Sequence, residues 1–490
     1  MRLLYATSEI APWVKTGGLG DVSAALPPAL LAAGCDVRIL VPAYPALTDA
    51  FAGRLAPVAS IDPSGGALPG ARLLSVRDAP GPQYLLLDAP GLFDRPGNPY
   101  VDAQGRDHPD KLLRFGLLSR VAALLASDRS PLSWRPQLLC CNDWQTALAP
   151  AFLHYLHPEA QVVSLVTIHN LAFQGLFGRE ALAQLGLPEA AFRFDGVEFH
   201  GALSFLKAGL QFCDRIVTVS PGYAREILTP EGGCGLDGLL RYRADRLHGI
   251  LNGIDTEVWD PARDPALVAP YDAERLDRKS LNRQALRAEL GLAQDAGGAL
   301  LGVVGRLTDQ KGLDLLLALV DDLCAQGVQI ALLGSGDAAL EAGWRAAAAR
   351  HRGRCAAVIG FDEPLAHRIE AGADLFVMPS RFEPCGLNQL YSLRYGTPPV
   401  VRRTGGLADS VIDADEAAAG GGQGTGFVFD APQPQALADA LQRALAAFAQ
   451  PLRWRAIQRA GMRQDLGWHR AAEAYCRLMR AALQARQKPG

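Results

Sequence analysis

Short runs of leucine and β-branched residues alternate with longer stretches rich in Ala, Leu and Arg along the whole chain. Residues 2–6, 37–41, 83–88, 138–141, 162–168, 215–219 and 247–251 predict strands, being short apolar runs set between more polar or helical segments. Residues 22–33 and 111–125 read as helices between some of them. The pattern restarts with strands over 299–304, 328–333, 356–359, 375–378, 399–402 and 426–429. Such alternation marks parallel α/β layers. The segment NGIDTEVWDPARDP, from Asn252 to Pro265, puts Gly, Asp and Pro between two periodic regions and serves as the boundary. Two Rossmann-like domains are therefore expected, 1–252 and 253–490, the second ending in Ala-rich helices from about Pro432. Facing each other across a central cleft, they would bring the carboxyl ends of both sheets to the place where ligands bind.

Composition narrows the function. A chain of 490 residues is too long for one core. Its 49% hydrophobic and 20% charged residues are those of an ordinary globular enzyme, and a net charge of −3 gives no footprint for nucleic acid. The opening MRLLYATSEIAPW is neither a secretory signal nor a membrane span, so a cytoplasmic protein without a membrane partner is expected. Nine cysteines lack any CxxC spacing and the histidines form no HExxH group, so thiols rather than disulfides, and no metal site, are expected.

Several loops carry candidate chemistry. After the first predicted strand comes Lys15-Thr16-Gly17-Gly18-Leu19-Gly20-Asp21 and then a helix. Glycines let backbone approach a ligand, a helix N-terminus favours an anion, and Lys15 adds charge. The loop is either a phosphate or sugar-phosphate site or a plain tight turn. In the second half, Arg306 and Lys311 share the loop GRLTDQKG after a strand, where two cations can neutralise a diphosphate; a solvated basic loop is the plainer alternative. Gly334, Gly336 and Ala339 fit GxGxxA, a weak dinucleotide signal. Glu383 in SRFEPCGL stands beside a helix start and suits a hydroxyl-rich ligand, or merely favours the helix dipole. Thr404, Gly405 and Gly406 form a further glycine turn offering backbone donors. One DxD triplet, Asp413–Asp415, lies by a Gly/Ala-rich loop.

Taken in order, KTGGLGDV, NDWQTALAP, IHNLAFQG, FLKAG, TVSPGYAREI, LNGID, GRLTDQKG, PSRFEPCGL and VRRTGGLADSV span almost the entire chain and resemble bacterial glycogen synthases and plant starch synthases. The resemblance implies the glycosyltransferase B fold and transfer of glucose from ADP-glucose to an α-1,4-glucan such as glycogen, with retained configuration and no metal or other cofactor. It implies that Lys15, Gly17, Gly18 and Asp21 hold the donor phosphates or nearby glucose, and that His169 contacts the transferred glucose. Asp143 and Asn252 would line the sugar side, Arg306 and Lys311 would bind the diphosphate, and Glu383 would face the donor sugar. Cys385, Gly386 and Leu387, with Thr404, Gly405 and Gly406, complete the implied binding set, and Phe361 would stack near the adenine. Two departures stand out. Tyr391 occupies the place of a second Glu, eight residues after Glu383, that the broader fold group often carries and this branch lacks. Asn142 and Gln145 replace the histidines of an HDWH motif. Rival readings are a related UDP-glucose-dependent transferase, an NAD-dependent oxidoreductase resting on GxGxxA alone, and an inactive glucan-binding paralogue.

Overall fold

The computed structural model describes residues 1–490 apart from 64–65, 79, 96, 103–104, 295–296 and 488–490. The chain divides into two units, Met1–Asn252 together with the helix Trp468–Gln487, and Gly253–Gly467. Strands of the first unit are β1 (Arg2–Ala6), β2 (Asp36–Pro42), β3 (Ala56–Ile61), β4 (Ala71–Arg77), β5 (Gln83–Asp88), β6 (Leu138–Asn142), β7 (Val163–Ile168), β8 (Leu176–Phe177), β9 (Glu198–Phe199), β10 (Ala202–Ser204), β11 (Arg215–Thr218) and β12 (Leu247–Gly249). Nine of them form one sheet in the order β12-β11-β7-β6-β1-β2-β5-β4-β3, and β8, β10 and β9 make a small antiparallel sheet.

The central strands of the large sheet are parallel and buried, as in β7, where every residue is inaccessible. The antiparallel edge of β3 and β4 has no counterpart among the expected strands. β3 is largely exposed and begins with Ala-Pro, so it lacks the apolar run that betrays a central strand.

One assignment is corrected. The tail was expected to close the second domain over 253–490, but its last helix, Trp468–Gln487, packs on the first unit. Trp468, Ala471, Ala472, Tyr475, Cys476, Met479 and Ala482 form a buried stripe at helical spacing within the first unit's core. Arg486 ties the helix end to the carbonyl of Val162. Periodicity shows that a helix buries a face; it does not say against which sheet.

The second unit holds β13 (Leu300–Val304), β14 (Gln329–Gly334), β15 (Cys355–Ile359), β16 (Leu375–Met378), β17 (Pro399–Arg402) and β18 (Phe427–Phe429). All are parallel, in the order β15-β14-β13-β16-β17-β18. Counted within the unit this is 3-2-1-4-5-6, the doubly wound order, with its switch point between β13 and β16. Among the described residues no helix is long and apolar enough to cross a membrane.

Candidate active site

In the second unit, topology alone selects the loops after β13 and β16 as a ligand site. The first carries Arg306 and Lys311, the second Glu383. Lys311 Nζ meets Glu383 Oε2 at 2.6 Å, and Ser380 Oγ donates to the same oxygen at 2.9 Å. Glu383 is buried, its charge compensated by Lys311 rather than by water. Arg306 is exposed and its guanidinium makes no ion pair among the described residues. Gly312 has φ +62°, and a Cβ there would lie 2.1 Å from the carbonyl oxygen of Pro379, so only glycine lets the two loops close on each other.

The glycine turn after β17 braces this pair. A Cβ on Gly405 would meet the Glu383 carbonyl at 2.0 Å, and Gly406 N donates to the carbonyls of Glu383 and Pro384. The Gly406 amide, expected to face a ligand, is thus spent on the Glu383 loop. Thr404 occupies the position just before the short helix Gly405–Ser410 without a side-chain capping bond. Cys385 is buried, Gly386 adopts φ +72° against the side chain of Gln389, and Leu387 precedes the helix Asn388–Arg394. Tyr391 on that helix stacks on Trp259 with ring centroids 3.6 Å apart, so the place of the second Glu is filled by packing. Phe361, following β15, is 79% exposed and makes no ring contact among the described residues, leaving a free face for a flat ligand.

GxGxxA has a different role from the one its pattern suggests. Cβ atoms on Gly334 and Gly336 would collide with the carbonyls of Gly305 and Leu307, so these glycines admit the neighbouring loop. Asp337 caps the following helix by accepting from Ala339 N and Leu340 N, and Glu341 accepts from Gly336 N. Protein carboxylates therefore occupy the positions a pyrophosphate would take, and the dinucleotide reading lacks a site. The DxD carboxylates are committed as well: Asp413 accepts from Val428 N and pairs with Arg443, and Asp415 pairs with Arg443 and Arg453.

In the first unit the switch point lies between β1 and β2 on one side and β6 on the other. The helix Gly18–Ala32 starts after Gly17 with no side-chain cap, in contrast to the one at Asp337. The Gly17 amide bonds the buried Glu9 carboxylate, and a helix start without a side-chain cap favours an anion. A Cβ on Gly17 would meet nothing within 4 Å, so the protein's own packing does not require glycine there. Lys15 pairs with Asp21 at 2.7 Å, both partly exposed. Beneath the loop, the buried carboxylate of Glu9 accepts from Thr16 N (2.6 Å), Thr16 Oγ1 (2.7 Å) and Tyr100 OH (2.6 Å). Burial, opposed by those bonds, raises its pKa. Neither Glu9 nor Tyr100 was expected from sequence; Glu9 ends the short polar run Thr7-Ser8-Glu9 after the first strand, which names no partner.

Asp143 follows β6 with φ +57° and ψ −174°, a conformation that costs a non-glycine residue about 1–3 kcal/mol. Its Oδ1 accepts from the amides of His169 and Asn170, at 3.0 and 3.3 Å, which binds the ends of β6 and β7 together. Burial pushes its carboxyl up to about 7, against the pull of those two amides. His169 is half-buried, and burial lowers its pKa to about 3, so the ring is neutral. Asn142 Nδ2 donates to Ala6 O, which turns Oδ1 toward His169 Nε2 at 3.1 Å. Nε2 therefore carries the proton and Nδ1 keeps its lone pair for a ligand hydroxyl. Asn142 does by hydrogen bonding what a histidine in that place could do only in one tautomer. Gln145 Nε2 donates to Tyr100 OH. Asn252, at the end of the first unit, is buried, and its Oδ1 has no hydrogen-bond partner among the described residues.

Two doubly wound units with charged loops at their switch points fit the glycosyltransferase B fold, and the comparisons with known proteins agree. The family described as starch synthase catalytic domain matches residues 2–242, and glycosyl transferases group 1 matches 284–460. Glycogen synthase from Dechloromonas aromatica is 56% identical over 486 residues, covering 99% of both chains. That from Aromatoleum aromaticum is also 56% identical, over 99% of this chain and 98% of its own. The catalytic domain of starch synthase IV from Arabidopsis thaliana, bound to ADP and acarbose, superposes with a TM-score of 0.86 at 31% identity, covering 98% of this chain and 99% of that one. A sucrose-phosphate synthase from Thermosynechococcus elongatus shares the fold, with a TM-score of 0.59 at 19% identity over 99% of each chain. The chain belongs to the glycogen synthase and starch synthase family.

Proposed function

We propose that this enzyme transfers glucose from ADP-glucose to the non-reducing end of an α-1,4-glucan with retention of configuration. The observation that carries the reading is the Lys311–Glu383 pair at the switch point of the second sheet, in a chain that matches glycogen synthases end to end. The acceptor 4-hydroxyl attacks the anomeric carbon as the bond to the diphosphate oxygen breaks, on the same face of the sugar. Negative charge grows on the departing ADP, where Arg306 and Lys311 stabilise it, and positive charge grows on the sugar ring beside Glu383. Lys15 and the uncapped helix start at Gly17 and Gly18 serve the donor's phosphates or the nearby sugar. The neutral His169 ring accepts from a sugar hydroxyl through Nδ1. The departing phosphate takes the acceptor's proton, since Glu383 is already bound by Lys311 and Ser380.

The reaction is proposed to need no metal ion, with Arg306 and Lys311 performing the charge neutralisation. Rates with excess EDTA should match untreated enzyme within about twofold. Loss of activity with chelator and its return with Mg²⁺ or Mn²⁺ would refute this. The donor is tested by comparing ADP-glucose and UDP-glucose with glycogen as acceptor. ADP-glucose should show the higher kcat/KM, and Phe361→Ala should raise its KM by roughly tenfold, the order of a lost base–aromatic stack of about 1–3 kcal/mol. Equal or better use of UDP-glucose would replace the donor assignment.

A further inference from the structure

Arg381 lies two residues before Glu383 and makes more bonds to the Lys311 loop than any site residue does. Its backbone N donates to Gln310 O at 2.8 Å, and Nη1 donates to Asp309 O at 2.9 Å. Its two terminal nitrogens form a fork on Asp314, with Nη1 to Oδ1 and Nη2 to Oδ2 both at 2.7 Å. Its own carbonyl accepts from Arg402 Nη1. Gln310 Nε2 reaches Phe382 O at 3.3 Å, completing a seam between residues 309–314 and 379–383. Lys311 lies inside the first segment and Glu383 at the end of the second. Both hydrogens of Nη1 and one of Nη2 are thus committed to the Asp309–Asp314 segment.

We propose that Arg381, through its fork to Asp314, is a positioning residue that sets the distance between Lys311 and Glu383 and so the placement of Lys311 against the leaving diphosphate. The inference rests on the reading of Lys311 given above. A fork of two charge-assisted bonds fixes both distance and angle, which a single ammonium cannot. Without it the seam keeps its backbone hydrogen bonds, the Gln310–Phe382 bond and the Lys311–Glu383 pair itself, a single contact that fixes distance but not angle, and Nζ is free to swing. A misplacement of about 1 Å in a reacting group can cost on the order of 10²-fold in rate.

The test is a double-mutant cycle in the full-length enzyme, with kcat and KM for ADP-glucose and thermal midpoints measured on wild type, Arg381→Ala, Lys311→Ala and the double variant. Arg381→Ala should lower kcat by roughly 10-fold to 10²-fold, with the KM for glycogen unchanged. In the Lys311→Ala background the same change should cost less than about twofold, because the group being positioned is already gone. Arg381→Lys and Asp314→Asn, which keep charge or shape and spare the fold, should each lose most of what Arg381→Ala loses. Equal losses from Arg381→Ala with and without Lys311 would overturn the inference while leaving the Lys311 reading intact. Wild-type kcat in Arg381→Lys and Asp314→Asn would overturn it as well. An active Lys311→Ala would overturn both, and is recognised by that single variant.

Discussion

Lys311→Ala lowers kcat for transfer from ADP-glucose by roughly 10²-fold or more, the order seen when one charge-stabilising donor is removed from a transition state. The diphosphate gains charge as the glycosidic bond breaks, so a cation at that point favours the transition state over bound donor. The structure adds a second consequence. Nζ is 2.6 Å from Glu383, whose side chain is only 6% exposed, so truncation leaves a buried carboxylate whose remaining side-chain bond among the described residues is from Ser380. The variant should therefore also melt at a lower temperature. Glu383→Gln in the same chain removes the unpaired charge and should return much of the thermal midpoint while leaving kcat low. Lys311→Arg should recover part of kcat only, since a planar fork does not replace a compact ammonium at this spacing. A Lys311→Ala enzyme with raised KM for ADP-glucose and wild-type kcat would make Lys311 a ground-state anchor and refute its catalytic role.

Much of this site was legible because its residues sit in short loops directly after buried strands. A run such as the one ending at Val304 announces a strand, and the Gly, Arg and Lys that follow must then lie at a carboxyl end. Orientation and partnership were not legible. GxGxxA looked like a ligand loop, yet Gly334 and Gly336 exist to admit the backbone of Gly305 and Leu307. The same residue type serves a ligand in one loop and packing in another, and only the neighbouring atoms tell them apart. Glu9, Tyr100, Arg381 and Asp314 escaped notice because their partners are distant in sequence or their fragments carry no periodicity. The last helix was read correctly as a helix and wrongly placed, since an apolar stripe does not name its partner.

Asp143→Asn should be more stable than wild type above pH 7 and markedly less active. The native carboxyl is pushed up to about 7, chiefly by burial and further by the nearby Glu9 carboxylate, whereas in the unfolded chain it titrates near the ordinary value of about 3.9. Between those values the folded protein holds a proton that the unfolded chain has released. The stability this confers is complete below about pH 4 and is lost as pH rises through about 7. Asparagine keeps the acceptor oxygen for the amides of His169 and Asn170, tolerates the positive φ, and carries no charge to desolvate. The thermal midpoint of Asp143→Asn should exceed that of wild type at pH 8, by about 2–4 °C for each kcal/mol recovered, and the difference should vanish toward pH 4. Activity separates the charge from the fold. Oδ2 has no partner among the described residues, and an amide there would present donors where the carboxylate presents an acceptor. A loss of roughly 10-fold to 10²-fold in kcat/KM is expected if that oxygen receives a sugar hydroxyl. Wild-type activity should also fall as the pH drops below about 7. That limb would belong to Asp143 and not to His169, whose ring stays neutral down to about 3. Asp143→Asn should lack the limb, and a variant that keeps it, or that matches wild type in rate, would remove Asp143 from the site.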